Sequence, residues 1–464
     1  KKRRQADMVL GEVVVDVTNH STLLNTFTAA ALALLSVAPQ VQAADAEYAD
    51  VNSQFSRYEE SGGRMKIDIY QASALLPFTD RLNFKVNGVK DIITGASPVA
   101  NSPKLNGKPY QMLSGASIKD ERDSVDGTVS YKHDSGIVSL GGGRSSENDY
   151  ESNFFNVDSR LDFNQKMTTL ETGYGFSSDK VWAIDHCPPH CLSDNSGISS
   201  ASSETLAPAD ISLSSASSEV TLGSNSGLSG SSLGTNTSTP NTYKRPGVGG
   251  DKVTHQGILG LTQILDKDSL LQANLTYTYN GGYLSDPYKA VYASWATEPY
   301  PIYGGTFIHD NRPSNRNQIA LLTRYVRHFS SLNSAAMHLD YRYYVDTWGV
   351  NAHTFEATWI QPVWADWKMS PTVRYYSQGS ADFYQPYFTK QRADGHYSSD
   401  YRLAQFGAIG GGVQISKDFF ERLNLGFGID FYERKNNYGF NGGSGTNVDN
   451  FRFSMYTAKI NFKF

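Results

Sequence analysis

The sequence predicts an all-β fold, a transmembrane antiparallel up-and-down β-barrel of about sixteen strands, within a range of roughly fourteen to eighteen. Three observations predict it. Segments in which apolar and polar residues alternate recur along most of the chain, tight and long connections alternate between them, and the last such segment ends on Phe464. Successive side chains point to opposite faces of a strand, so each segment has one apolar and one polar face. Short turns at one end and long loops at the other are typical of transmembrane barrels.

Composition agrees with a barrel. The chain has 464 residues, among them 28 Tyr, 23 Phe and 41 Gly, and charged residues make up 19%. Its mean hydropathy is −0.43, and no apolar run reaches the roughly 18 residues that a membrane helix needs. A polar average with abundant aromatics is expected when only alternate residues face lipid. The net charge of −5 and the lack of a basic stripe argue against nucleic acid as a partner.

The N-terminal region predicts a secretory signal peptide over residues 1–43, followed by the barrel over residues 44–464. Basic residues open the sequence, an apolar segment covers residues 27–38, and the small-residue pattern Val41-Gln42-Ala43 follows. This order of charged, apolar and small residues is that of a cleaved leader. Export combined with a barrel predicts the outer membrane of a Gram-negative bacterium, with its lipid as the first partner.

Strand-like alternation accounts for the chain in order. In residues 82–86 and 269–280, for example, apolar side chains occupy every second position. An even number of strands places both termini and all tight turns at one end, which we assign to the periplasm. Closure is required because open edges would leave backbone groups unsatisfied in hydrocarbon. The predicted strands cover residues 48–59, 64–74, 81–90, 124–132, 135–143, 153–162, 168–177, 253–264, 269–280, 316–328, 334–346, 349–361, 369–378, 403–416, 422–434 and 450–464.

The final strand adds a second indication. Tyr456, Ala458, Ile460, Phe462 and Phe464 alternate with polar residues. This pattern resembles the closing strand of outer-membrane barrels, where it serves as the assembly signal. Barrel-assembly machinery that recognises this strand is therefore an expected partner.

Charged and polar side chains at the alternate positions are predicted to face the barrel lumen. Arg or Lys on a lipid-facing surface at mid-depth would cost about 2–4 kcal/mol. Two interpretations are open: a polar channel with an electrostatic filter, or a salt-bridged network that plugs the lumen. The residues are Lys66, Asp68, Arg324, His338, Asp340, Arg342, Glu356 and Arg374.

Two long connections differ in kind. Residues 192–240 are dominated by Ser, Gly, Thr and Asn, a composition that buries too little apolar surface to order itself. We interpret them as a low-complexity external loop. Residues 281–315 instead contain Trp295, several Tyr and four Pro. This second loop is predicted to fold over or into the barrel mouth and to narrow it.

The only two cysteines lie in the segment DHCPPHC at residues 185–191. A disulfide between Cys187 and Cys191 is the first interpretation, since an exported protein meets an oxidising compartment. A zinc or copper site formed by His186, Cys187, His190 and Cys191 is the second, and two unpaired thiols are the third. The residue order excludes a c-type haem attachment, which requires Cys-x-x-Cys-His. Apart from this metal ion, no cofactor is predicted.

Four stretches of the second half point to a family. They are GYLSDPYKAVY (282–292), DNRPSNRNQIALLTRYVRHF (310–329), LDYRYYVDTWGVNAHTFEATW (339–359) and RYYSQGSADFY (374–384). Together they resemble a proteobacterial family catalogued only as a domain of unknown function. The resemblance implies an exported, β-rich outer-membrane protein. Genes for a small lipoprotein, a thioredoxin-like protein and a flavin transferase accompany its relatives, which implies a periplasmic lipoprotein or redox partner. The resemblance implies no catalytic residues for this chain.

The predicted function is passive, porin-like transport of small polar solutes, without enzymatic activity. The alternative is a structural barrel or scaffold for an envelope redox or metal-handling partner. An outer-membrane hydrolase is a second alternative, because His338, Asp340 and Arg342 share one face of a strand. Such an enzyme needs a nucleophile or an activated water, and no Ser in a recognisable nucleophile motif accompanies these residues.

Overall fold

The computed structural model describes residues 49–95, 97–103, 109–113, 120–187, 241–296, 307–420, 422–440 and 450–464. The chain divides into two compact units, a larger one of residues 1–183 and 247–464 and a smaller one of residues 184–246. The leader predicted at residues 1–43 and the low-complexity segment 192–240 lie outside the described residues.

Sixteen strands pair in a closed antiparallel barrel, which confirms the predicted class and strand number. The barrel strands are β1 (Asp50–Glu60), β2 (Met65–Pro77), β3 (Leu82–Gly95), β6 (Asp120–His133), β7 (Gly136–Ser146), β8 (Tyr150–Phe163), β9 (Thr168–Cys187), β10 (Asn241–Asp266), β11 (Ser269–Gly282), β14 (Asn315–Phe329), β15 (Ala335–Asp346), β16 (Asn351–Pro362), β17 (Trp367–Gln378), β18 (Phe406–Phe419), β19 (Leu423–Lys435) and β20 (Phe451–Lys463). Four further strands form two separate two-stranded sheets, β4 (Pro98–Pro103) with β5 (Pro109–Leu113) and β12 (Ala290–Tyr292) with β13 (Phe307–His309).

The barrel closes between its first and last strands. β1 pairs with β20 from Asp50 opposite Lys463 to Glu60 opposite Phe453. Backbone hydrogen bonds between Ala49 and Phe464, at 3.0 and 2.9 Å, extend this seam. Closure leaves the sheet without an unpaired edge, as a strand bundle in hydrocarbon requires.

The two ends of the barrel differ. The end that holds Ala49 and Phe464 also holds the tight turns, such as residues 134–135 and 267–268. Left-handed backbone at Asn333 (φ 55°) and Ala365 (φ 50°) allows two of these turns to reverse the chain. The opposite end carries the long connections. Among the described residues, no helix is long and apolar enough to cross a membrane.

Apolar side chains cover the outside of the barrel. Val373, Phe427 and Leu140 are 65%, 61% and 60% exposed. Inward positions of the wall carry polar side chains, such as Ser56 on β1 at 0% and Thr254 on β10 at 2% exposure. A monomer in water rarely exposes so continuous an apolar surface. An apolar exterior around a polar interior makes this a barrel of the outer-membrane type.

Candidate functional site

Four charged side chains form one row across the inner wall. Arg324 on β14 lies opposite Asp340 on β15, and Asp340 opposite Glu356 on β16. Arg374 on β17 completes the row opposite Glu356. Arg324 donates from Nε to Asp340 Oδ1 at 2.8 Å and from Nη2 to Oδ2 at 2.6 Å. The Arg374 Nη1 atom lies 3.5 Å from Glu356 Oε2. The row therefore carries two positive and two negative charges, paired in the wall.

Two further predicted interior residues flank this row on β15. His338 is 2% exposed and lies opposite Val326 and Thr358. Arg342 lies opposite Leu322 and Thr354, on the other side of the row. All six residues predicted on β14 to β17 thus face the interior.

The prediction is wrong for Lys66 and Asp68, which face outward. Both share a face of β2 with Tyr70, whose side chain is 47% exposed. Arg57 Nε donates to Asp68 Oδ1 at 2.7 Å, and Lys66 Nζ lies 2.9 Å from Glu59 Oε1, all on the outer surface. The apolar residues between them turn inward instead. Met65 and Ile67 pack against a buried cluster of Tyr58, Phe453 and Met455.

The position of Lys66 and Asp68 along the barrel axis explains why these charges face outward. Lys66 and Asp68 lie at the end of the barrel that carries the long loops, where the strands extend beyond the apolar belt. Beyond the belt the outer surface meets water, so charges can face outward and apolar residues are buried inside.

Three long loops meet across the mouth at this end. They join β3 to β6, β11 to β14 and β17 to β18, and at least two barrel strands separate each loop from the next around the ring. Asn101 Nδ2 donates to the Ser399 carbonyl at 3.0 Å, and Ser399 Oγ donates to the Ala290 carbonyl at 3.0 Å. Four barrel strands separate the loops of Asn101 and Ser399 around the ring, so a contact between these residues brings together loops from distant parts of the rim. We call their described residues the cap: residues 97–103, 109–113, 283–296, 307–314 and 379–405.

A buried ionic network joins two loops of the cap. Arg402 donates to Asp400 Oδ2 at 2.8 Å and to Asp286 Oδ2 at 2.7 Å. Arg312 donates to the same Asp400 Oδ2 at 2.9 Å and to Asp310 Oδ2 at 2.6 Å. Asp400 is 1% and Asp310 4% exposed. Every carboxylate in the network therefore has an arginine partner.

Lys289 makes the network neutral and ties it to the third loop. Its buried ammonium donates to the carbonyl of Pro98 in the β3–β6 loop and lies 5.3 Å from the centroid of the Tyr401 ring. Three cations thus balance three carboxylates.

Electrostatics hold the network ionised. Burial alone would raise the pKa of Asp400, but Arg402, Lys289 and Arg312 outweigh burial and hold that pKa well below its usual range. Burial raises the pKa of Asp310, and Arg312 only partly offsets the rise. Asp310 is therefore the carboxylate of this network that protonates first as the pH falls.

The cap also reaches the inner wall of the barrel. Gln378 at the end of β17 donates to the carbonyls of Arg402 and Ala404 at 2.9 and 2.7 Å. The guanidinium carbon of Arg434, on β19, lies 4.6 Å from the centroid of the Tyr401 ring. The 379–405 loop therefore contacts the inner wall, and the 281–315 loop, which was predicted to fold over or into the mouth, is joined to it through Asp286 and Ala290.

Three carboxylates of the rim, those of Asp120, Glu147 and Asp149, lie within 4.8 Å of one another. Burial raises the pKa of Glu147 to about 7, and the nearby Asp149 and Asp120 add to the rise. Burial likewise raises the pKa of Asp149 to about 6, although a hydrogen bond from Tyr288 of the cap opposes it. The acidic cluster thus connects the rim to the cap, and the raised pKa values of Glu147 and Asp149 lie near neutral pH.

The Glu147→Gln substitution is expected to reduce a pH dependence of the rim, of which Asp149 supplies a further part. The folded state binds the Glu147 proton more tightly than an unfolded chain with a pKa of 4.5. Rim stability is therefore highest below pH 4.5 and falls as the pH rises to about 7, by up to about 3 kcal/mol. Hydrogen exchange of residues 147–150 and 286–290, corrected for intrinsic rates, measures this loss. Glu151→Gln is the control and should lose as much rim stability as the wild type when the pH rises. A loss in Glu147→Gln as large as that of the wild type would contradict the assignment.

The predicted His-Cys site lies at the edge of the described chain. Cys187 ends β9, but the side chains of His186 and Cys187 are not described, and His190 and Cys191 lie outside the described residues. The disulfide and the metal site both stay predictions.

Sequence patterns did not reveal the ionic network of the cap. Its partners are far apart in sequence, 116 residues for Arg402 and Asp286 and 88 for Arg312 and Asp400. One signal was present: charges of both signs in a loop rich in aromatic residues and proline, where they must be paired when buried.

Searches of solved structures and of sequences show which known proteins this chain is similar to. Similar solved structures include a bacterial polysaccharide outer membrane secretin, with 8% identity, 90% of this chain and 98% of that chain covered, and a TM-score of 0.44. The CymD monoaromatic hydrocarbon channel shows 9% identity, coverages of 90% and 88%, and a TM-score of 0.36. The outer membrane protein opdK from Pseudomonas aeruginosa shows 8% identity, coverages of 90% and 98%, and a TM-score of 0.37.

No curated protein sequence matches the chain. The model of one family, described as "Protein of unknown function (DUF3570)", matches residues 24–455. This match covers most of the sequence and includes all four stretches on which the family resemblance rests. The chain therefore belongs to the DUF3570 family.

Proposed function

We propose that this protein is a bacterial outer-membrane channel for small polar solutes, and that its folded cap restricts passage at the external mouth. The apolar exterior supports the membrane location, since side chains such as Val373 would otherwise lie in water. The polar interior with its paired charges supports a hydrated path rather than an apolar one.

The observation that carries the proposal is the buried ionic network that joins the loops of the cap. Buried ion pairs are weak evidence for stability, because desolvation of the charges offsets much of their attraction. Hydrophobic packing would close a permanently sealed mouth at least as well. Charges, however, can separate into water when the loops part, whereas apolar groups would resist exposure. The ionic network can therefore separate into water when the loops part. Buried apolar contacts between the same loops, such as Phe307 with Ala100 and Phe388 with Val291, oppose that opening.

Conductance in planar bilayers tests this function. Wild-type protein is expected to show a small conductance, and a variant with a short Gly-Ser linker in place of residues 285–310 a severalfold larger one. Heat-modifiable migration in gels and the circular dichroism of the barrel verify that both variants fold. Equal conductance of the two would refute the cap as a restriction, and a lack of conductance in both folded proteins would refute the channel.

A structural barrel that supports an envelope partner is the second candidate. The observation in its favour is the low accessibility of many inward side chains, such as Val326 at 1% and Ser177 at 0%. Liposome swelling with sugars and small peptides separates the candidates, since a sealed scaffold gives no swelling. The lack of enzymatic activity stays a prediction. Both carboxylate oxygens of Asp340 accept hydrogen bonds from Arg324, so Asp340 is poorly suited to act as a general base.

A further inference from the structure

Arg342 differs from the other arginines of the β14–β17 wall. It faces inward and is half-buried, yet it makes no ion pair or hydrogen bond with another described residue. The carboxylates at neighbouring inward positions have other partners: Arg324 binds Asp340, and Arg374 binds Glu356. The third carboxylate, that of Asp346, accepts from Arg316 Nε at 2.9 Å and from the Tyr344 hydroxyl at 2.7 Å.

The wall around Arg342 therefore carries one excess positive charge. Arg374 lies on the same inner face, two strands away on β17 and one inward position below Tyr376. Within the described part of the chain, Arg374 makes one ion pair, with Glu356 at 3.5 Å. The inner face of β14–β17 thus holds Arg316, Arg324, Arg342 and Arg374 against the carboxylates of Asp340, Asp346 and Glu356.

Hydroxyl groups complete the surroundings of Arg342. Thr354 lies directly opposite Arg342, and Tyr376 lies opposite Thr354 on the next strand. The Tyr376 hydroxyl donates to Gln378 Oε1 at 2.6 Å, which orients it within the wall.

The same position lies directly beneath the cap. Tyr344, the next inward residue toward the mouth, packs against the buried cluster of Trp348 and Phe383. Below the paired Arg316 and Asp346, Arg342 is therefore the first arginine of this wall that a solute would meet without an ion-pair partner among the described residues.

We propose that Arg342 and Arg374 form a binding subsite for a small oxyanion, a carboxylate or phosphate group, just below the cap. The planar guanidinium fork matches the two oxygens of such a group and binds them more strongly than a neutral donor does. The inference rests on the proposed channel and specifies its solutes as small organic acids or phosphates rather than neutral sugars.

Binding to the purified full-length protein in detergent tests the subsite, with inorganic phosphate and succinate as separate probes in calorimetry. Arg342→Gln is expected to weaken binding of the preferred probe at least tenfold. Arg342→Lys should retain part of it, because the charge remains but the fork is lost. Arg327→Gln is the matched control, since Arg327 pairs with Asp266 near a turn and away from the cap.

The two probes and a conductance measurement separate the outcomes. Preference for one probe identifies the anion class, and equal affinity of wild type and Arg342→Gln, or no binding by wild type, would overturn the subsite. The ratio of anion to cation permeability in a salt gradient should fall in Arg342→Gln. Binding without conductance in any variant would refute the channel but leave the subsite standing.

Discussion

Substitution of Arg402 by glutamine is expected to raise the single-channel conductance severalfold, because it releases the cap. Arg402 is a partner of both Asp400 and Asp286, and Asp400 is almost completely buried. Removal of one partner of a buried ion pair costs about 3–5 kcal/mol, since the other charge stays desolvated. A cost of this size shifts the balance between closed and open cap by about a hundredfold or more. Planar-bilayer recordings measure the change directly.

The matched control is Arg392→Gln. Arg392 belongs to the same loop and pairs with Asp394, but this pair lies at the surface, where an ion pair contributes little. The conductance of the Arg392→Gln variant should equal that of the wild type. An Arg402→Gln protein with wild-type conductance and unchanged hydrogen exchange in residues 400–404 would show that the network does not hold the cap closed.

Substitution of Val373 by arginine is expected to destabilise the barrel in lipid by about 2–4 kcal/mol. Val373 lies midway along β17 and is 65% exposed on the outer face. An arginine there would place a charge in hydrocarbon. Urea unfolding of protein reconstituted in phospholipid vesicles, followed by tryptophan fluorescence, measures the loss.

The control for this prediction is an exposed apolar residue at a different depth in the membrane. Phe78 lies in the tight turn between β2 and β3 and is 66% exposed, so it should lie near the membrane surface. Phe78→Arg is expected to cost about 0–1 kcal/mol. Equal losses for the two variants, or a wild-type protein that stays dispersed in water without detergent, would contradict the assignment of this surface to lipid.

The barrel could be predicted from local sequence because its wall is locally encoded. In β11, Leu271, Leu275 and Tyr277 mark the lipid-facing side, and each is more than 40% exposed. Alternation with a period of two residues requires no knowledge of distant partners. The same holds for the tight turns, so strand number and strand order followed from the residues alone.

The direction of each face was harder to predict. Alternation in β2 is clear, but Ile69 is 5% exposed and faces inward, whereas Tyr70 faces outward. A period of two cannot show which of the two sets meets lipid once the strand extends beyond the membrane. Depth, which is a property of the whole barrel, decided the face of Lys66 and Asp68.

The cap was predictable only as a folded loop. Its composition indicated order, but its contacts depend on three loops that the closed ring brings together. Neither the β4–β5 sheet nor the pairing of Arg312 with Asp400 has a local signature. Tertiary contacts between segments this distant in sequence lie beyond the reach of pattern reading.

The arrangement of the cap also imposes an order on biogenesis. Arg402 and Asp286 come from connections that follow β17 and β11, and strands on both sides of the ring must be in place before these side chains can meet. We therefore expect the mouth to be the last part of the molecule to mature, after the ring has closed. Resistance of the peptide bonds at Lys390 and Arg392 to added trypsin would then time the completion of insertion in living cells.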